Sequence, residues 1–133
     1  MTRREQREQV FKMLFRVEFH DKEDMLQQIA VAQGGMEDVA WNEKDSDYIL
    51  GKCRKIVERI PEIDEAVNEV SKGWKTKRMG KVDLTLIRLA VYEMKYEEDI
   101  PVQVAINEAV ELAKQYGTDD SPSFVNGVLA KLA

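Results

Sequence analysis

Residues 82–94 constrain the fold of this chain more than any other stretch. Val82, Leu86, Leu89 and Ala90 form one helical stripe, and Leu84, Ile87, Val91 and Met94 form another. A helix that is apolar around most of its circumference belongs in the centre of a fold, enclosed by other helices. The same 3.6-residue period recurs elsewhere, and no stretch shows the two-residue alternation of a half-buried strand. The expected class is therefore all-α, a single domain of about seven helices with the fifth at its core.

The other elements follow from the same period. Val10, Met13, Leu14 and Val17 share a face of a first helix, with Phe11 and Phe15 beside them. Thr2 and Glu5 have capping-box spacing, which places its start at Arg3. Met25, Ile29 and Ala32 suggest a second, shorter helix. Gln33-Gly34-Gly35 then breaks the pattern, and a polar loop is expected to about Ser46. Ile49, Cys53, Ile56, Val57 and Ile60 mark a third helix closed by Pro61, which suits the first position of a fourth carrying Ile63, Val67, Val70 and Trp74. Val102, Ile106, Ala109, Leu112, Ala113 and Tyr116 define a sixth, stopped by Gly117 as a C-terminal cap. Ser121 would cap a seventh, with Val125, Val128, Leu129 and Leu132 inward. Gly127 lies inside that helix, where glycine costs about 1 kcal/mol. Either the cost is tolerated, or the missing side chain admits another element.

Composition removes several function classes. The chain has 133 residues, one cysteine (Cys53) and one histidine (His20), so no intrachain disulfide is possible, and neither a thiolate zinc site from this chain alone nor most histidine-based chemistry is expected. No apolar run approaches the roughly 18 residues of a membrane span, and the start of the chain lacks a signal-type apolar stretch. A cytoplasmic protein without membrane association is expected. No Walker-type phosphate loop exists: Gly73 and Gly80-Lys81 are too far apart, and Val82 stands where Ser or Thr is needed. Paired carboxylates such as Glu97-Glu98 sit in turns without a second catalytic group, so no enzyme activity is expected.

The formal charge of −5 argues against indiscriminate nucleic-acid binding but leaves room for local basic features. Arg3, Arg4 and Arg7 occupy the first two turns of the first helix, where the helix dipole is already positive. Helix stability alone would place acids there, so this cluster favours an anionic ligand, although Glu5 and Glu8 offset part of it. Lys72, Lys75, Lys77, Arg78 and Lys81 form a second tract with no acid among them. Trp74 lies within it. Cations with an interleaved aromatic suit single-stranded RNA, yet Trp74 also continues the Ile63–Val67–Val70 stripe and is expected to pack there. Asp119 and Asp120 suit the positive end of the last helix. Phe124, one position off the main stripe, fits core or surface equally. Arg88, the lone cation of the fifth helix, is expected to pair with a carboxylate.

Several long blocks carry a family resemblance. They are Trp74-Lys75, Arg78, Val82-Asp83 and the run Ile87-Arg88-Leu89-Ala90-Val91-Tyr92-Glu93-Met94, then Ile100-Pro101-Val102, INEAVELAK at 106–114 and FVNGVL at 124–129. In this order they resemble the NusB family of bacterial transcription antitermination factors, and Arg3 to Glu18 resembles its arginine-rich first helix. The resemblance implies an all-helical fold of two small packed bundles. It also implies binding to the boxA element of nascent ribosomal RNA leaders together with NusE, a ribosomal protein, within an antitermination complex on RNA polymerase. No cofactor is implied. By position, Arg3, Arg4, Arg7, Asp120 and Phe124 would meet RNA, with Lys75, Arg78 and Lys81 extending the basic surface. Phe15 and Asp83 correspond to partner-contacting positions. The chain departs from the family in two places: Glu5 and Gln6 interrupt the arginines, and Leu86-Ile87 inverts a common order.

Two readings of other classes stand beside this one. A helical protein–protein adaptor or homodimer would need no RNA contact and would leave the basic residues solvated. NusB-like domains also occur fused to RNA methyltransferases, but 133 residues leave no room for a catalytic domain.

Overall fold

The computed structural model describes residues 1–16 and 41–133, which fall in two compact units, Met1–Glu58 and Arg59–Ala133. The described residues contain no strand. They form helices α1 (Arg3–Phe15), α2 (Glu43–Val70), α3 (Lys81–Tyr96), α4 (Val102–Tyr116) and α5 (Ser121–Leu132), and a 3-10 turn at Thr76–Arg78. The all-helical expectation holds. The expected count of about seven is corrected to five α-helices among the described residues. The second helix proposed around Met25, Ile29 and Ala32, and Val17 of the first, lie outside the described residues.

α1 begins where its capping spacing places it. The Glu5 amide donates to the Thr2 hydroxyl (3.1 Å), and the Thr2 amide donates to Glu5 Oε1 (2.9 Å). Donation from the Thr2 backbone and then from its side chain holds the Glu5 carboxyl below the usual carboxylate range. Val10, Phe11, Met13 and Leu14 are buried, and the Phe11 and Phe15 rings meet at 6.2 Å. Within the same unit the Cys53 thiol reaches the Val10 carbonyl at 3.8 Å.

α2 corrects two expectations. The loop thought to run to about Ser46 ends earlier, because Asn42 Oδ1 accepts the Asp45 amide at 2.8 Å and caps the first turn. That turn is wholly polar, so no period announces it. The third and fourth helices are one, with Pro61 inside. An interior proline costs about 3 kcal/mol through its lost donor and ring clash. Here the ring lies on the exposed side, while Cys53, Ile56, Val57, Ile63 and Val67 are buried on both sides of it. Continuous burial favours one helix over two.

In the second unit α3 is enclosed as its pattern demands. Leu86, Ile87 and Val91 have no exposed surface, and α3, α4 and α5 pack pairwise. Ala105, Ile106, Ala109, Leu112 and Ala113 of α4 and Val125, Val128 and Leu129 of α5 complete the core. Val102, expected inward, is 39% exposed, and Ala105 takes the buried position instead. Arg88 finds its carboxylate: Nε and Nη2 donate to the two oxygens of Asp64 on α2 at 2.9 and 2.7 Å. Arg59 stacks over the Tyr96 ring at 4.6 Å, and both donate to Glu62.

Gly117 ends α4 for a different reason from the one expected. Its φ of −96° is open to any residue. What excludes a side chain is the close return of the chain, since a Cβ would overlap the Ser121 hydroxyl and press on the Ala113 carbonyl at 2.9 Å. Ser121 does not cap α5 from outside. It is the first helical residue, and its hydroxyl accepts the Thr118 amide at 3.0 Å. At Gly127 a Cβ would meet nothing within 4 Å, so the helical cost is simply tolerated.

Gly127→Ala should therefore stabilise the protein by about 1 kcal/mol, whereas Gly117→Ala should destabilise it by about 1–3 kcal/mol through overpacking. Urea midpoints of the two variants check the opposite signs. Burial pushes the Cys53 thiol from 9.0 up to about 12. The unfolded chain loses this proton first, so the stabilising contribution is complete below pH 9 and lost as pH rises toward about 12. Urea unfolding across that range should show the decline, and a disulfide reagent at neutral pH should label Cys53 only after denaturation.

Candidate nucleic-acid interface

The chain between α2 and α3 is held by polar residues at the end of α2. The Ser71 hydroxyl donates to the Trp74 carbonyl (2.6 Å), and the Trp74 amide donates back to the Ser71 carbonyl (3.3 Å). Asn68 Oδ1 accepts the amide of buried Thr76 (2.8 Å), while the Asn68 carbonyl accepts from the Lys75 ammonium (2.9 Å). The 3-10 turn then closes with the Arg78 amide on the Lys75 carbonyl at 2.8 Å. These bonds leave Trp74 with 54% of its surface in water. Its expected place on the α2 stripe is thereby corrected. The helix stops at Val70, ahead of Gly73, and a period cannot be extended past the helix that generates it.

Trp74 lines a groove of about 260 Å³ together with Arg78, Met79, Gly80, Asp83, Asp120 and Phe124. Three segments build it: the 3-10 turn, the first turn of α3, and the start of α5. Asp120 is the residue before α5, yet its carboxylate makes no capping hydrogen bond. Its charge stands at the positive end of the helix, as expected, without a side-chain bond to the first turn. Phe124 is half-buried and forms part of the groove.

The structure brings together four of the residues named from sequence: Arg78, Asp83, Asp120 and Phe124. Lys75 points elsewhere. It lines a separate acidic cavity of about 490 Å³ with Pro61, Asp64, Glu65, Asn68 and Glu69. Lys81 is exposed at the first position of α3. In the first unit, Arg3 and Arg4 are exposed, whereas Arg7 is only 9% exposed. Arg4 and Arg7 each also have a contact within the protein. Glu8, expected to offset the arginines, pairs with Lys12 at 3.7 Å. Phe15 is half-buried against Phe11. Sequence reasoning missed Asn68 and Ser71, whose signal was a polar pair on an apolar helix end, and Met79, which carried none. No group of three or more His, Cys, Asp or Glu side chains suited to a metal occurs among the described residues.

The described residues thus combine an all-helical fold, an arginine-bearing first helix and, in the second unit, an aromatic, carboxylate-lined groove. The NusB family model matches residues 4–133, and the chain belongs to that family. It is 57% identical over 135 residues to the transcription antitermination protein NusB of Agathobacter rectalis, covering 100% of both chains. NusB from T. maritima superposes with a TM-score of 0.87 at 38% identity, covering 100% of this chain and 91% of that one. The antitermination factors NusB and NusE in complex with dsRNA give a TM-score of 0.76 at 22% identity, covering 99% and 97%, a likeness of fold.

Replacing Asn68 with Ala should leave the buried Thr76 amide without its acceptor, at a cost of about 1–3 kcal/mol. Thermal unfolding measures that loss, and a shifted Trp74 emission in the folded variant would report the released turn.

Proposed function

We propose that this chain is an RNA-binding transcription antitermination factor. In this reading it binds boxA of ribosomal RNA leader transcripts together with NusE and joins an antitermination complex on RNA polymerase. It works as one NusB-like domain, in the cytoplasm where nascent transcripts are made, and it acts by binding, without catalysis. Among the described residues no helix is long and apolar enough to cross a membrane.

One observation carries this reading. The positions that the family resemblance assigns to RNA (Asp120, Phe124) and to the protein partner (Asp83) line a single groove with Arg78. A groove shared in this way suits a composite surface on which RNA and NusE are held together. Separately, Arg3 and Arg4 project from the positive end of α1 and supply the sequence-independent attraction to phosphate. Arg7, nearly enclosed, acts from a fixed position and Lys81 from an exposed one. Lys75 contributes long-range charge while bonded to Asn68. Phe15 is proposed on the partner side, apart from the RNA contacts.

If about three to five phosphates are neutralised, log K should fall with log salt at a slope of about −2 to −3.5. Arg3→Glu combined with Arg4→Glu, both at exposed positions, should flatten that slope while helicity by circular dichroism stays unchanged. Titration of labelled boxA RNA at several salt concentrations, with and without NusE, measures it. Unaltered affinity in the double variant removes these arginines from the site. A salt-insensitive dimer that ignores RNA would instead support the adaptor or homodimer reading.

A further inference from the structure

We infer that the groove between Trp74 and Phe124 is a slot for one unstacked RNA base, and that its carboxylates select guanine. This rests on the RNA-binding reading above and adds Trp74 as a contact that the family positions do not supply. Trp74 has 54% of its surface exposed, although a large apolar core lies close by in the same unit. The Ser71 and Asn68 bonds hold the segment in place, so the exposure is built in. Phe124 and Met79 provide the other apolar surfaces of a 260 Å³ space, which suits a single flat ring system. Aromatic faces in such a space stack on bases irrespective of sequence.

Selectivity comes from the rim. Asp83 and Asp120 line the groove, and an ionised carboxylate only accepts hydrogen bonds. Guanine presents two adjacent donors, N1–H and the N2 amino group, which match the two oxygens of one carboxylate. Uracil offers a single N–H between two carbonyl oxygens. Adenine and cytosine offer one amino group beside an acceptor nitrogen. Arg78 at the same groove is suited to the phosphate of the bound nucleotide. It also disfavours the other occupant that an aromatic, acidic groove could take, a cationic side chain from a protein.

The test uses the full chain carrying Trp41→Phe, which leaves Trp74 as the only one of the 2 tryptophans. The probes are single-stranded uridine oligomers with one central guanosine, inosine or uridine, with and without NusE. The guanosine oligomer should quench Trp74 emission and bind about tenfold more tightly than the all-uridine one. Inosine, lacking the amino group, should lose about fivefold. In the parent chain, Trp74→Ala should weaken guanosine-oligomer binding about tenfold, read by anisotropy of labelled RNA, and Trp74→Phe should retain most of it. RNA bound with the expected salt slope but without quenching, and unaffected by Trp74→Ala, would overturn the slot while leaving the RNA-binding reading intact. Equal affinity for guanosine and inosine oligomers would overturn the guanine assignment. Absence of RNA binding under all conditions would overturn both readings. Quenching by an arginine-rich peptide but by none of the oligomers would identify the occupant as a protein cation and refute the base slot.

Discussion

Enclosure of α3 is the constraint on which the second unit depends. Nine of its residues are buried, and a helix so apolar on all sides can persist only inside a sheath of others. α4 and α5 supply part of that sheath, and each also packs on the other. The single cation in this environment, Arg88, is held by both oxygens of Asp64, with the two side chains only 12% and 21% exposed. A two-pronged guanidinium–carboxylate pair fixes direction as well as distance. It therefore ties the second half of α2 to α3 at a fixed point, a few residues before the Trp74 segment departs.

The groove is a consequence of that arrangement. Because α2 ends at Val70 and α3 begins at Lys81, the intervening chain must turn within a short span, and it does so with its polar groups satisfied by Asn68 and Ser71. Those bonds spare Trp74 from burial. The tight return at Gly117, where Ser121 takes the place a side chain would need, aims the start of α5 at the same spot. Two independent pieces of backbone geometry thus bring an indole and a phenyl ring to one opening. Each turn is rigid for reasons that have nothing to do with a ligand, and preformed geometry of this kind lowers the ordering cost of binding.

Charge is distributed more subtly than net composition suggests. A chain of formal charge −5 still presents Arg3 and Arg4 at the positive end of α1, and Arg78 beside the groove. Within the second unit the carboxylates of Asp83 and Asp120 line that groove with Arg78. Such mixed surfaces discriminate better than uniformly basic ones, since anions reject the wrong donor–acceptor pattern while cations hold the backbone. Lys75, by contrast, donates to the Asn68 carbonyl and lines a separate cavity with Asp64, Glu65 and Glu69.

Periodicity and capping are local properties, and they were legible in the residues themselves. The start of α1 at Thr2, the buried faces of α3 and α5, and the need of Arg88 for a carboxylate could all be read before any coordinates. What could not be read was whatever depended on distant segments meeting. Pro61 could be placed inside one long helix only by knowing that both of its flanks are buried. Gly117 was recognised as a stop, but the cause, a clash with Ser121, belongs to the chain's return. Phe124 is far in sequence from Trp74 and Asp83, and the three share no period. Their meeting in one groove was decided by tertiary packing, because a helical pattern specifies which face turns inward and not what waits at the helix ends.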